Sequence, residues 1–339
     1  MNLTPIVLYN NTLSATSTPF QQMLTIPANA SINSTYTNIR FRDGNYNLLT
    51  SWLESYTTSS ATIWVVLPDG ILSKSALTIY METGSLSDNF LDDITVGEAP
   101  QLSATYGQYD NGAKVFSFYD NFAGTSLSSK WTSSGNVVVA NGVQIIGNQS
   151  NFGGIKSNVS YSNVDNIVIE ALANLYGSNG SEIRVRPYAW LSTQPIEDGV
   201  NGNNYTSVAS NFDMGYYSNE TLSNQSQYYF NSASSSTSPV SNSVTDYVFI
   251  HQIVLYSGGF QWNTLSPSHS VLNTNTDSTV LSSDSFSIYF ECDSYSATSS
   301  YSQINIGWVR TRAYPPNGTM PIQVNELSST VNITEGLII

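Results

Sequence analysis

Residues 137–146 read VVVANGVQII and indicate a β-hairpin. Two short apolar runs flank Asn141-Gly142, and this dipeptide is a strong signal for a type I′ turn between antiparallel strands. Similar runs, rich in Val, Ile, Tyr, Phe and Thr, recur along the chain and are separated by Gly, Asn, Asp and Ser. The sequence therefore predicts an all-β protein.

Eleven segments fit the strand pattern best. They are Pro5–Tyr9, Gln21–Ile26, Ala61–Leu67, Ala76–Met81, Val137–Ala140, Val143–Ile146, Ile167–Leu175, Glu182–Pro187, Tyr247–Tyr256, Ser285–Phe290 and Ile304–Arg312. The segment Tyr46–Tyr56 is the one stretch that also fits a short helical turn.

Chain length and turn signals predict two domains followed by a tail. A chain of 339 residues is longer than a single core usually supports. The turn-rich stretch YGQYDNG ends at residue 112, and a new strand pattern begins after it. We therefore expect an N-terminal β-sandwich domain at 1–112, a larger two-sheet jelly roll at 113–314 and a C-terminal tail at 315–339. The Ser, Asn and Tyr-rich region 201–243 is typical of long loops.

The composition points to the outside of a cell. Ser, Thr and Asn account for 120 residues, whereas charged residues make up only 10% of the chain, against about 25% in ordinary soluble domains. The net charge of −14 repels phosphate backbones, and no Lys/Arg cluster offsets it, so nucleic acid is excluded as a partner. No run of 18 apolar residues occurs, so no membrane span is predicted in this chain.

Residue types that would hold a cofactor or metal are sparse. Cys292 is the single cysteine, so no intrachain disulfide forms, and His251 and His269 are the two histidines, too few for a zinc cluster. The oxygen ligands of 89–93 or of 110–111 could hold Ca²⁺, but turn formation accounts for them better. No Gly-rich phosphate loop follows a strand. The sequence therefore predicts no cofactor and no metal.

Covalent glycans are expected on Asn-x-Ser/Thr acceptor triplets, here called sequons. Composition alone would give about nine of them, so the observed number is a mild enrichment. The twelve predicted acceptors are Asn2, Asn10, Asn29, Asn33, Asn148, Asn158, Asn179, Asn204, Asn219, Asn224, Asn317 and Asn332.

Several motifs resemble those of a family of archaeal cell-surface proteins of unknown function. In the first part of the chain they are Ala15–Met23, Ser51–Tyr56, Ile63–Pro68 and Val96–Gln101. In the second part, Phe118–Phe122, Leu127–Trp131 and Gly153–Ser157 are similar to the start of concanavalin-like lectin and glucanase jelly rolls, and Gly307–Gly318 with Met320-Pro321 is similar to their close. The resemblance covers about residues 15–321. It implies a concanavalin-like jelly roll and a surface location, but no activity.

Two kinds of residue could act on sugars. Glu291 and Asp293 could form the carboxylate pair of a glycosidase, although the tandem acidic strand motif of glucanases is absent, so solvated or structural acids are favoured. The tyrosine pairs 216–217 and 228–229, with Trp262, could stack on sugar rings. Packing within loops is favoured for them, because adjacent tyrosines on a strand face opposite ways.

All six arginines occur in Arg-x-Arg pairs, and on a strand both members of a pair face the same side. The pairs are Arg40/Arg42, Arg184/Arg186 and Arg310/Arg312. They could bind acidic sugars or carboxylates of a neighbouring subunit. Salt bridges within the chain are the favoured interpretation.

The tail suggests assembly. Val331, Ile333, Leu337 and Ile339 share one parity and would be the inward residues of a strand donated to another copy. The strand Pro5–Tyr9 is a rival donor, and an ordinary terminal strand is an equally good interpretation. The leading hypothesis is a secreted, N-glycosylated structural subunit of an archaeal filament or surface layer, a homopolymer assembled head to tail and without catalytic role. The alternatives are a carbohydrate-binding adhesin or lectin and, at low weight, a glycoside hydrolase.

Overall fold

The computed structural model describes residues 2–148, 153–177, 184–185, 188–192, 212–218, 224–230, 233–236, 247–277, 286–292, 294–295 and 301–325. They form antiparallel β-sheets, which confirms the predicted all-β class. The chain folds as two compact units. The first unit holds residues up to Gly97 together with the segment from Pro315 onward, and the second holds Glu98–Tyr314. The predicted division after residue 112 lies inside the second unit.

The strands are numbered in chain order. The first eight are β1 (Asn2–Asn10), β2 (Phe20–Pro27), β3 (Ile39–Arg42), β4 (Leu48–Leu49), β5 (Ser51–Tyr56), β6 (Ser60–Leu67), β7 (Ser75–Thr83) and β8 (Val96–Glu98). A short helix, α1 (Gly112–Val115), then precedes β9 (Phe118–Asp120), β10 (Trp131–Gly135), β11 (Val137–Val139), β12 (Val143–Asn148), β13 (Gly153–Tyr161), β14 (Ile167–Gly177), β15 (Arg184–Val185) and β16 (Tyr188–Ser192). The remaining strands are β17 (Phe212–Ser218), β18 (Asn224–Phe230), β19 (Ala233–Ser236), β20 (Tyr247–Tyr256), β21 (Gly259–Leu265), β22 (Val271–Asp277), β23 (Phe286–Cys292), β24 (Ser294–Tyr295), β25 (Tyr301–Ala313) and β26 (Ile322–Asn325). Single 3₁₀ turns occur at Phe90–Asp92, Asn163–Asp165 and Pro316–Gly318.

The first unit is a β-sandwich. One sheet has the strand order β26-β1-β7-β3-β4 and the other has the order β2-β6-β5-β8. Alternate residues of these strands are buried and form the core, which includes Leu8, Phe20, Leu24, Phe41 and Trp64. The observed alternation follows the hydrophobic pattern from which the strands were predicted.

The segment 46–56, which also fitted a helical turn, forms β4 and β5 instead. Trp52 of β5 lies opposite Trp64 of β6, and both indoles are fully buried. Pairing with β6 satisfies the backbone and buries these two large side chains together, which a single helical turn would not achieve.

The predicted hairpin at residues 137–146 is present. β11 and β12 pair antiparallel, and both turn residues have positive φ, 55° at Asn141 and 119° at Gly142. Asn and Gly are the residues that adopt this left-handed backbone at low cost.

The chain returns to the first unit through β26. This strand pairs with β1, and β1 also pairs with β7 on its other side. Gln323 of β26 also binds β2, which belongs to the other sheet of this unit. Its side chain accepts from Thr25 N at 2.8 Å and donates to Thr25 O at 2.9 Å. The first strand of the predicted tail is therefore built into this chain's own sandwich.

The second unit contains two large sheets. A seven-stranded sheet has the order β10-β13-β23-β16-β17-β18-β19, and an eight-stranded sheet includes β11-β12-β25-β14-β20-β21-β22, with β9 added beside β25. A single cluster of buried side chains draws on both sheets, with Ile155 and Phe290 from the first and Ile169, Ile253 and Ile306 from the second. This core defines which face of each sheet points inward.

The motif at residues 118–131 forms one end of that core. The Asp120 carboxylate accepts hydrogen bonds from Trp131 Nε1 at 2.9 Å, Ser128 Oγ at 2.5 Å and the backbone N–H of Phe122 at 2.9 Å. The Trp131 ring packs against Phe118, with ring centroids 5.6 Å apart. The motif that resembles lectin and glucanase jelly rolls therefore has a structural role in this chain.

Candidate functional site

The outer face of the seven-stranded sheet is the candidate site. Ile155 of β13 and Phe290 of β23 lie opposite each other and belong to the buried core. Since side chains alternate along a strand, the neighbouring residues Lys156, Tyr289 and Glu291 belong to the opposite face.

Strand register extends this face across five strands. Tyr289 lies opposite Trp190 of β16, Trp190 opposite Asp213 of β17, and Asp213 opposite Tyr229 of β18. A second row runs parallel to the first, through Glu291, Tyr188, Gly215 and Gln227. We call this set the aromatic face; its members are Lys156, Tyr188, Trp190, Asp213, Tyr217, Gln227, Tyr229, Tyr289 and Glu291.

The described end of the aromatic face is largely covered. Tyr289 is only 3% exposed, and Lys156 is partly buried. Burial lowers the pKa of the Lys156 amine, since desolvation disfavours its charged form.

The two acidic residues of the aromatic face lie on different strands. Glu291 lies on β23 and Asp213 on β17, and β16 runs between these strands. The two residues are also offset by two positions along the strand direction. Strand spacing and rise then place their Cα atoms about 12 Å apart. Asp293, the predicted partner of Glu291, lies outside the described residues.

Strand register separates the two members of each predicted tyrosine pair. Register places Tyr217 and Tyr229 on the aromatic face, whereas Tyr216 and Tyr228 alternate to the face that carries the core. Trp262 lies opposite Ile253, a core residue of the other sheet, and so is not part of the aromatic face.

The outer face of the eight-stranded sheet carries a buried ionic cluster instead. Glu170 of β14 accepts from Arg310 Nε at 2.6 Å and from Arg312 NH2 at 2.9 Å, and it also accepts from Gln252 at 2.7 Å. Burial alone would raise the pKa of Glu170, but the charges of Arg310 and Arg312 outweigh it and hold that pKa below its ordinary value.

A second cluster of the same design lies in the first unit. Arg40 and Arg42 of β3 both bind Glu82 of β7, with N–O distances of 2.8 and 2.6 Å. Two of the three Arg-x-Arg pairs thus form salt bridges within the chain, as the favoured interpretation stated. In the third pair, Arg184 lies on β15 and Arg186 lies outside the described residues.

Two of the residues considered as metal ligands, Asn89 and Asp93, have structural roles. Asn89 Oδ1 accepts from Leu91 N in a 3₁₀ turn, and Asp93 accepts from Thr95 and Arg40. His251 is buried, which lowers its pKa to about 4. Within the part of the chain that the structure describes, no group of three or more His, Cys, Asp or Glu side chains could hold a metal ion.

The predicted acceptors are only partly covered by the structure. Side chains are described for Asn2, Asn10, Asn29, Asn33, Asn158 and Asn317. Asn148 and Asn224 lie on β12 and β18, and Asn179, Asn204, Asn219 and Asn332 lie outside the described residues. The predicted assembly residues Val331, Ile333, Leu337 and Ile339 also lie outside them. No helix in the described ranges is long and apolar enough to cross a membrane.

One family match and one relative of this chain are both described without a function. Residues 35–96 match a family described as a domain of unknown function, DUF2341. The chain is also 26% identical, over 98% of its length, to uncharacterized protein 562 of Sulfolobus islandicus rod-shaped virus 1. It spans only 61% of that protein's length. The predicted resemblance is thus supported in a coarser form, through a relative of unknown function encoded by an archaeal virus.

Solved structures that resemble the chain are jelly-roll lectin and glucanase-like domains. A β-1,3-glucanase from Mycobacterium marinum is 12% identical, with a TM-score of 0.41, covering 58% of this chain and 98% of its own. The carbohydrate recognition domain of Emp47p is 11% identical, with a TM-score of 0.43, covering 57% and 93%. A pseudo β-1,3-glucanase of Mycobacterium tuberculosis is 12% identical, with a TM-score of 0.43, covering 58% and 98%. The likeness is one of fold and assigns no ligand to this chain.

Proposed function

We propose that this chain is a carbohydrate-binding protein that works outside the cell and does not hydrolyse its ligand. The observation that carries the proposal is the register of the seven-stranded sheet, which brings Trp190, Tyr188 and Tyr229 to the face that holds Asp213 and Glu291. Aromatic rings stack on the apolar faces of sugar rings, and carboxylates accept hydrogen bonds from sugar hydroxyls. The composition, poor in charge and rich in Ser, Thr and Asn, supports the extracellular location.

We infer binding without hydrolysis from the acidic residues that the two strands contribute. The positions that alternate to this side of the sheet are Asp213, Gly215 and Tyr217 on β17, and Ser287, Tyr289 and Glu291 on β23. Each of these two strands therefore supplies one carboxylate from its described residues, on either side of β16. The tandem acidic strand motif of glucanases is absent from both strands, which favours recognition of sugar hydroxyls over paired acid and nucleophile chemistry.

The experiment measures the affinity of the full chain for immobilised polysaccharides, which are prepared from the cell surface of its host. Trp190→Ala should weaken binding by about 10-fold or more, since one stacking platform is lost. Tyr256→Ala is the matched control, because Tyr256 stacks on Tyr314 in the same unit and lies on the other sheet. Equal affinities of Trp190→Ala and the parent chain would refute the proposal. Release of reducing sugar that stops in Glu291→Gln would establish a hydrolase instead.

Assembly into a homopolymer is a second proposal. It is supported by β26, an edge strand whose residues Ile322 and Val324 are about half exposed, because such an edge can pair with a strand of another copy. A chain shortened to end at Asn325 keeps β26 and should lose assembly if the tail donates the strand. Electron microscopy of both chains distinguishes the cases: filaments formed by the shortened chain would refute the tail's role.

A further inference from the structure

Two sequons line one cavity in the first unit and have opposite surroundings. The cavity has a volume of about 340 Å³ and is lined by residues 10–12 and by Asn317 and Thr319, along with Tyr9, Leu13 and Ile322. The two sequons are Asn10-Asn11-Thr12 and Asn317-Gly318-Thr319. Their proximity allows a direct comparison of what each asparagine can do.

The amide of Asn10 is occupied by structural hydrogen bonds. Asn10 is fully buried at the end of β1. Its Nδ2 donates to the carbonyl oxygens of Ser14 at 2.9 Å, Ile71 at 3.3 Å and Leu72 at 3.1 Å. Its Oδ1 accepts from Thr12 N and Thr12 Oγ1 at 3.1 and 2.7 Å. The nitrogen to which a sugar would be attached therefore already donates hydrogen bonds to three backbone carbonyl oxygens.

The amide of Asn317 faces solvent. Asn317 is exposed and lies in a turn with a φ of 54°, a left-handed backbone that asparagine tolerates well. The turn is fixed by the backbone, since Gly318 N donates to Pro315 O at 2.9 Å and Thr319 N to Pro316 O at 3.0 Å. In the described structure the side chain of Asn317 makes no hydrogen bond, and Thr319 is also exposed. The whole sequon is thus presented on a rigid, accessible turn.

We propose that Asn317 carries an N-linked glycan, that Asn10 stays unmodified, and that the glycan covers the cavity. The donor is an oligosaccharide linked through its C1 oxygen to a lipid phosphate. A bond forms between Asn317 Nδ2 and the sugar C1, the C1–O bond to the phosphate breaks, the amide gives up one proton to a base, and the lipid phosphate leaves. The covered surface includes Leu13 and Ile322, whose side chains are 82% and 51% exposed, so attached sugar would shield apolar residues from other molecules.

This inference does not rest on sugar binding by the aromatic face, which belongs to the second unit. It is tested by mass spectrometry of intact glycopeptides from the chain purified from its native host. The peptide with Asn317 should carry a glycan mass, and the peptide with Asn10 should have its unmodified mass. A glycan on Asn10, or an Asn317 peptide without any glycan, would overturn the inference.

Thr319 offers a matched pair of variants that leave Asn317 in place. Thr319→Ala removes the sequon, so the protein should lose the mass of one glycan. Thr319→Ser keeps the sequon and should keep that glycan. Thr319→Ala should also bind severalfold more of an apolar fluorescent dye, with an unchanged circular dichroism spectrum. Unchanged mass in Thr319→Ala would overturn the modification site, and unchanged dye binding after loss of the glycan would overturn its covering role. If the proposed function holds, Thr319→Ala should bind immobilised polysaccharide as the parent chain does, whether or not Asn317 carries a glycan.

Discussion

The Glu170 carboxylate accepts a hydrogen bond from Arg310 Nε over 2.6 Å, and neither side chain is exposed to solvent. The Arg310 guanidinium also lies 4.4 Å from the Trp308 ring centroid and 4.7 Å from that of Phe116. A buried charge at this position is tolerated because its partner and two aromatic rings replace water. The cluster therefore ties β14 to β25 across a separation of 140 residues in sequence.

Glu170→Gln should strongly destabilise the second unit. The substitution removes the buried carboxylate that accepts from both Arg310 and Arg312, and breaking a buried ion pair in this way costs about 3–5 kcal/mol. Denaturant unfolding measures the loss. The matched control is Glu82→Gln, which breaks the similar cluster of the first unit, where Arg40 and Arg42 are partly exposed and water can compensate. Equal losses in the two variants would show that burial does not set the strength of these clusters.

Stability should fall between pH 6.5 and pH 4 because of His251. Burial lowers its pKa in the folded state to about 4, whereas the unfolded chain takes up the proton near pH 6.5. Below pH 6.5 the unfolded state gains a proton that the folded state does not bind, so stability decreases by about 3 kcal/mol down to pH 4. Denaturant unfolding at several pH values should show this slope in the parent chain and a flatter one in His251→Leu.

His269→Asn is the control for the pH dependence of stability. His269 is the other histidine, is not fully buried, and has a φ of 63°, which asparagine tolerates. A parent-like slope in His269→Asn is expected. Loss of the slope in His269→Asn, with retention in His251→Leu, would contradict the assignment.

Asn10→Ala should destabilise the first unit by about 2–3 kcal/mol. It removes the shared donor of three carbonyl oxygens, that of Ile71 at a buried site and those of Ser14 and Leu72 at partly buried sites. Thermal unfolding measures the effect, and Asn29→Ala serves as an exposed control whose side chain makes one local hydrogen bond, to Ser31 N. A loss in Asn10→Ala no larger than in Asn29→Ala would argue against a structural role for this asparagine.

Asp120→Ala should destabilise the core of the second unit by about 3 kcal/mol. The substitution removes the acceptor of Trp131 Nε1 and of Phe122 N, both at buried sites. Asp120→Asn keeps one acceptor oxygen and should lose less. The fluorescence of Trp131 and chemical unfolding report the change, and equal losses in both variants would show that the carboxylate charge matters more than the acceptor count.

Local patterns in the sequence determined the all-β class, the hairpin at Asn141-Gly142 and the shared face of the pairs Arg40/Arg42 and Arg310/Arg312. All three depend on residues within a few positions of each other, where alternation and turn chemistry act directly. The helical alternative at 46–56 failed because Trp52 pairs with the distant Trp64.

Only the tertiary structure decided which strands meet. β26 returns to β1, Glu170 meets Arg310, and the aromatic face collects Tyr289, Trp190 and Asp213 from three separate strands. Alternation tells which residues of one strand share a face, but it does not give the neighbour or the register of that strand. Those are set by how two sheets bury their apolar faces against each other, which depends on the whole chain at once.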